Sequence, residues 1–142
     1  MAACFTPTGC ISAEVRAPSI ERDGWCLESG EDRHAAAPET FWIPSPEARR
    51  ALCRGCGVKL IFHIDTPDGV DVERMWVVVT QRLEDGARFL GVLDSTPCSE
   101  QGPGRLEPGF EIPFEPQHVI NILDPCDATM AIAGTPTTRS WR

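Results

Sequence analysis

"LCRGCGVKLIFHID", residues 52–65, is the stretch whose reading decides the fold. From Val58 onward the side chains alternate: Val58, Leu60, Phe62 and Ile64 face one way, and Lys59, Ile61, His63 and Asp65 the other. A period of two is the mark of an extended strand with one face in a core. Just upstream, Gly55 ends a short helical pattern, and Cys53 and Cys56 stand three apart at the junction. They pose the chemical question of this chain, which is whether the pair does redox or metal chemistry or merely occupies a turn.

Working outward, "TPDGVDV" (66–72) supplies Pro67 and Gly69 for a reversal, and "ERMWVVVTQRL" (73–83) follows as a second strand. Met75, Val77 and Val79 share one of its faces and Trp76, Val78 and Thr80 the other, so apolar residues on both sides predict a central strand. Asp85-Gly86 in "EDGAR" suits a hairpin turn with positive φ. "FLGVLDS" (89–95) returns to Pro97, and a glycine- and proline-dense crossing (98–109) leads to "FEIPFEPQHVINIL" (110–123). That last segment reads as a strand pair with one helical turn at Pro116-Gln117. Helix is scarce. "SPEARRALCRG" (45–55) offers Ser45 as N-cap, Pro46 in the first helical position, Glu47 in the first turn and Gly55 as the stop. The expectation is an α+β fold, predominantly antiparallel β: a small curled sheet or partly open SH3-like barrel with one short helix.

With 142 residues the chain has the length of one domain, enough to bury roughly two-thirds of its unfolded surface in one core. Residues 1–22 read as a flexible arm, 23–124 as a single β-rich domain and 125–142 as a turn-rich tail ending near Trp141. The 21 acidic residues outweigh the 13 basic ones to give a net charge of −8, and Lys59 is the sole lysine. No basic cluster supplies the footprint that a phosphate backbone or an anionic membrane needs. No stretch reaches the ~20 apolar residues of a membrane helix, and the start lacks the basic and apolar regions of a secretory signal. The expectation is a cytoplasmic protein binding neither nucleic acid nor membrane, with no reading of its oligomeric state. The seven cysteines (Cys4, Cys10, Cys26, Cys53, Cys56, Cys98 and Cys126) are odd in number and scattered, so free thiols are expected.

Several of these segments, in this order, have a counterpart. Phe41-Trp42-Ile43-Pro44, Glu73-Arg74-Met75-Trp76-Val77, Gly91-Val92-Leu93-Asp94, Pro97 and Gly109 together resemble the bacterial domain-of-unknown-function family 2314 over about residues 40 to 123, more faintly from Trp25. The resemblance implies a small β-rich domain, names no activity, and by analogy with some relatives of similar size suggests an immunity-like role against a partner toxin. Three positions depart from the pattern: Cys56 and Phe110 stand where it has Asp, and Ser95 where it has Asn. Asp and Asn stabilise turns through bonds to nearby backbone, so the departures bear on turn stability.

A closed zinc site needs four Cys or His ligands, usually from a second pair, and here Cys98, Cys126, His63 and His118 are single. A redox pair of the thioredoxin kind opens a helix, where the terminus lowers a thiol pKa, whereas Cys53 and Cys56 follow one. The plainer reading, Cys53 packed as a small apolar residue and Cys56 in a turn, is preferred; no metal and no cofactor are expected. "SGEDRH" (29–34) reads as a polar loop whose Glu31, Asp32, Arg33 and His34 are binding candidates. Glu73 and Arg74 beside Trp76 read either as a strand-end charge pair with Trp76 in the core, or with Trp42 as a recognition patch, since Trp and Arg concentrate at hot spots. No nucleophile elbow and no phosphate loop are found, so no catalytic residue is named and the balance is against an enzyme. The expected function is a protein-interaction or regulatory module. The alternatives are a small ligand-binding domain or hydrolase using Glu31, Asp32, His34 and Glu73, and a Cys-based metal or redox protein.

Overall fold

The computed structural model describes residues 15–102 and 105–141. Its elements in chain order are α1 (Ile20–Asp23), β1 (Trp25–Glu28), α2 (Gly30–Ala36), α3 (Pro46–Arg50), β2 (Gly57–Thr66), β3 (Gly69–Leu83), β4 (Arg88–Leu93), β5 (Glu111–Phe114), β6 (Val119–Leu123) and α4 (Asp127–Ala133). The strands form one antiparallel sheet in the order β1-β2-β3-β4-β5, and β6 also pairs with β2.

The long β2–β3 hairpin is the frame, registered continuously from Gly57↔Val78 to Thr66↔Gly69. The other edge of β2 is shared: its first half pairs with β6 and its second half with β1. β5 lies on the far edge against β4, and a single 3₁₀ turn at Pro116–His118 carries the chain back so that β6 can reach β2. The sheet is thereby curled into a partly open barrel, as the sequence predicts. A closing strand placed after a proline turn suits this corner, because Pro116 needs no ladder partner for its missing N–H.

Inside the curl lie Val58, Leu60, Phe62 and Ile64 of β2 with Met75, Val77 and Val79 of β3, all essentially buried. Phe89 stacks on Phe114 with ring centres 5.3 Å apart, and Trp25 packs on Phe62 at 5.6 Å. Burying each large side chain contributes about 1.5–3 kcal/mol, so this face supplies most of the stability. Close approach of strands has one clear requirement: a side chain on Gly91 would come 2.5 Å from a Val77 methyl and 2.7 Å from the Val78 carbonyl.

The short helices differ from expectation in number and place. Ser45 caps α3 by accepting from the Ala48 N–H, as its sequence predicts, but the helix ends at Arg50. Residues 30–36, read as a loop, form α2, capped by Ser29 accepting from the Asp32 N–H. Its one buried residue is Gly30, so it offers no amphipathic period to read. The C-terminal segment, read as turn and tail, holds α4 with Ala133 buried, and Trp141 docks onto Trp25 at 5.5 Å while its Nε1 donates to the Arg16 carbonyl. Residues 15–22 of the expected arm lie against the body through Arg16 and the start of α1; residues 1–14 lie outside the described residues. No helix among the described residues is long and apolar enough to cross a membrane.

Candidate recognition surface

The outer face of the sheet can be read in rows from the strand register. Asn121, Lys59 and Trp76 form one row across β6, β2 and β3; Glu28, Ile61 and Arg74 form the next across β1, β2 and β3; Cys26, His63 and Val72 form the third. Ile61 is fully buried although it faces away from the core. The Phe41 ring lies beside this row, within cation–π range of Arg74 (5.4 Å), the register partner of Ile61, and of Arg33 (5.8 Å), which binds Glu28 in the same row. His34 holds the segment in place by donating from Nδ1 to the Phe41 carbonyl at 2.7 Å.

Glu28 is the electrostatic hub of this end. Its carboxylate takes the Arg33 guanidinium through both oxygens and His63 Nε2 at 2.6 Å. The Arg33 bonds, with help from His63, hold the Glu28 carboxyl below its usual range against the cost of burial. Glu28, Phe41 and Lys59 were absent from the sequence candidates; Lys59 was readable as facing outward, but nothing local marks Glu28 as the meeting point of three elements.

The next row is more open. Lys59 Nζ sits 5.6 Å from the Trp76 ring centre, and Gly57 leaves room for Trp76 and Leu123 to lie beside each other, both within 4 Å of where a Gly57 side chain would begin. Trp76 is half-buried on the outer face rather than in the core. Beside Asn121 opens a shallow hollow of about 630 Å³ lined by Trp42, Ile43, Pro44, Ala48 and Ile122, with Ser45 and Asp124 as its other polar members. Trp42 is 70% exposed and Leu123 53%. Neither Lys59 nor Arg74 has a carboxylate partner among the described residues. The patch therefore combines tryptophan, leucine and uncompensated cations on a strand-built support.

The remaining sequence candidates have other employment. Glu31 pairs at 2.6 Å with Arg49, which is 3% exposed and also donates to the Pro44 and Pro116 carbonyls, tying α2 and α3 to the barrel corner. Asp32 is exposed on α2. Glu73 anchors the 98–99 loop, accepting from the Cys98 and Ser99 N–H groups and the Ser99 hydroxyl; desolvation opposes its ionisation, but these bonds together win and its carboxyl stays below its usual range. In register Glu73 pairs with Phe62 on the inner face while Arg74 pairs with Ile61 on the outer. The structure thus does not bring Glu73 together with Glu31, Asp32 and His34.

Ser95 and Cys56 both accept backbone hydrogen bonds at their turns. Ser95 Oγ accepts from the Trp76 N–H at 2.9 Å, and Cys56 Sγ accepts from the Cys53 N–H at 3.5 Å, each supplying the acceptor that Asn or Asp would. Phe110 instead packs against the core with Arg139 above its ring. Cys56 lies in a turn, as the sequence reading has it, and is buried there, whereas Cys53, read as packed, is exposed. Cys53 to Cys56 is a β-turn closed by the Cys56 N–H on the Cys53 carbonyl, and Gly55 at φ +94° takes its third position. The turn aims the second thiol inward, where burial pushes its pKa up. The two sulfurs are 3.6 Å apart. Cys26, Cys98 and Cys126 are also free thiols, and Cys4 and Cys10 lie outside the described residues. Among the described residues no three of His, Cys, Asp and Glu converge in a metal-holding group.

No family model matches this chain, and neither the curated proteins nor the solved structures contain a match.

Proposed function

We propose that this chain is a non-enzymatic protein-interaction module, and that the outer face from Arg74 through Trp76, Lys59 and Leu123 to Trp42 is its contact surface. The observation that carries the reading is Trp42, 70% exposed and lining the hollow that continues across Asn121 into the Lys59–Trp76 row. Leaving that much indole in water is unfavourable, and tryptophan flanked by cations is the composition of binding hot spots. Arg74 and Lys59 lack carboxylate partners, so the complementary surface is an apolar ridge bordered by Asp or Glu side chains of a folded protein. The resemblance over residues 40–123 favours a regulatory or immunity-like role for that contact, with cytoplasmic action.

The test is affinity purification from the native host followed by calorimetry with the purified partner. Trp42→Ala and Trp76→Ala should each weaken binding by about 2 kcal/mol or more, and Lys59→Glu should slow association at low salt. A purification that returns no specific partner, or a partner whose affinity ignores all three substitutions, overturns the reading. A toxin gene adjacent to this one would support the immunity version.

A further inference from the structure

At the other end of the molecule four arginines from three separate segments of the chain meet in one cleft. It measures about 300 Å³ and is walled by Arg16, Arg22, Arg105 and Arg139, with Trp25, Phe110 and Trp141 as its aromatic lining. That volume is the lower end of the range for small-ligand sites. Two carboxylates share the cleft, and both are committed. Asp23 takes Arg16 through two bonds of 2.8 Å and the Ser19 N–H at 2.9 Å, and Glu111 takes the Trp141 N–H at 2.8 Å. Arg16 is stacked 4.2 Å above the Trp141 ring. Arg22 and Arg105 have no hydrogen-bonded carboxylate among the described residues, although Arg22 lies close enough to Asp23 to favour its ionised form.

Arg105 is seated by design of the backbone. Its guanidinium occupies the space where any side chain at residue 24 would begin, since a Cβ there would fall 1.4 Å from Nη1. Gly24 also has φ +80°, closing α1 in the left-handed conformation that glycine tolerates. One glycine therefore both ends the helix and leaves the space that the Arg105 guanidinium fills. The result is a concentration of positive charge in a chain whose net charge is −8, and a cleft with low-dielectric walls focuses such a field. Planar guanidinium forks bind the paired oxygens of carboxylates and phosphates, and bind them better than ammonium groups do.

We propose that this cleft is a binding site for a small oxyanion ligand, a phosphate or carboxylate carried on a compact organic body, with Arg22 and Arg105 as the groups that take its oxygens and Trp141 as the apolar wall beside it. The site is independent of the outer-face contact surface and uses none of its residues.

The experiment is a titration of the full chain followed by tryptophan fluorescence and by amide shifts, with inorganic phosphate, succinate and adenosine monophosphate as separate probes and sodium chloride at matched ionic strength as reference. Saturable shifts at Gly24, Arg105 and Trp141 are expected with at least one oxyanion. Phosphate and the monophosphate saturating without succinate marks a phosphate site, and the reverse marks a carboxylate site. Arg22→Gln combined with Arg105→Gln should weaken the effective probe at least about ten-fold, and Arg105→Lys, which keeps the charge and loses the fork, should fall between. Thermal melting of each variant checks that the fold persists; if the double variant melts early, Arg22→Gln alone and Arg105→Lys are compared instead. No saturable response to any oxyanion, a response equalled by chloride, or equal affinity in the folded variants overturns the proposal.

Discussion

The two faces of the β2–β3 hairpin are made by neighbouring residues and behave differently. On the inner face Leu60, Phe62 and Ile64 meet apolar partners from the rest of the same curled sheet. On the outer face Ile61 is just as buried, in a row beside which the Phe41 segment returns, held by cations and by the His34 bond to its carbonyl. In the next row Trp76 is only half-buried, and one row further Leu123 is largely exposed. Burial inside the barrel follows from the strand period itself, whereas burial outside depends on which segment of chain returns to lie there. The contrast separates stability, which is concentrated within, from recognition, which is available only where the cover stops.

Five substitutions probe that contrast. Phe62→Ala opens the inner face and should cost about 3–5 kcal/mol in denaturant unfolding; a loss under 1 kcal/mol would mean that the inner face is not the principal core. Arg49→Ala removes a buried guanidinium that joins α2, α3 and the barrel corner and strands two carbonyls, so a loss of about 3 kcal/mol is expected by the same measurement. Glu31→Gln should cost far less, because half of the Glu31 side chain is in water.

A smaller effect appears with pH. Burial lowers the His118 pKa, more than Glu115 and Glu31 raise it, and its Nδ1 accepts from the Glu115 N–H at 3.0 Å. The unfolded chain then takes up this proton more readily than the folded one, so stability holds above the ordinary histidine pKa of about 6.5 and declines as pH falls below it. Melting temperatures between pH 8 and pH 5 should show the decline in the wild type, and His118→Gln should flatten it. The carboxylates Glu28, Asp23 and Glu73, all held below their usual range, act in a separate window below the ordinary carboxylate pKa of about 4, where their stabilising effect is lost as they protonate. The smallest change is Trp42→Ala, expected within about 0.5 kcal/mol of wild-type stability. A large loss there would show that Trp42 belongs to the structural cover and not to the contact surface.

How much of this could be read from the sequence differs element by element. The β2–β3 hairpin, the Asp85-Gly86 reversal with its positive φ values, the Ser45 cap and the turn after Pro116 all leave local marks, because each depends on residues within one or two turns of chain. β1 is four residues long, too short for its alternation to stand out. α2 buries one glycine and α4 one alanine, so neither carries the apolar stripe that identifies a helix. The exposure of Cys53 and the burial of Cys56 were also beyond local reading, since they follow from how the Gly55 turn is seated against β3, where the Gly55 N–H donates to the Val79 carbonyl.

The candidate sites divide along the same line. By counting residues, Arg74 and Trp76 share one face of their strand and Lys59 takes the outward face of its own, and Trp42 is marked by the enrichment of tryptophan at hot spots. That Glu31 and Glu73 would be taken up by Arg49 and the 98–99 loop, and that Arg22 and Arg105 would face one cleft across 83 positions of chain, required the folded chain. Alternation and capping are short-range physics written into successive residues, so the sequence alone settled the β2–β3 hairpin and its inward face. Which charges find partners, and which aromatic rings are left in water, depends on long-range closure of the barrel, and only the tertiary structure decided it.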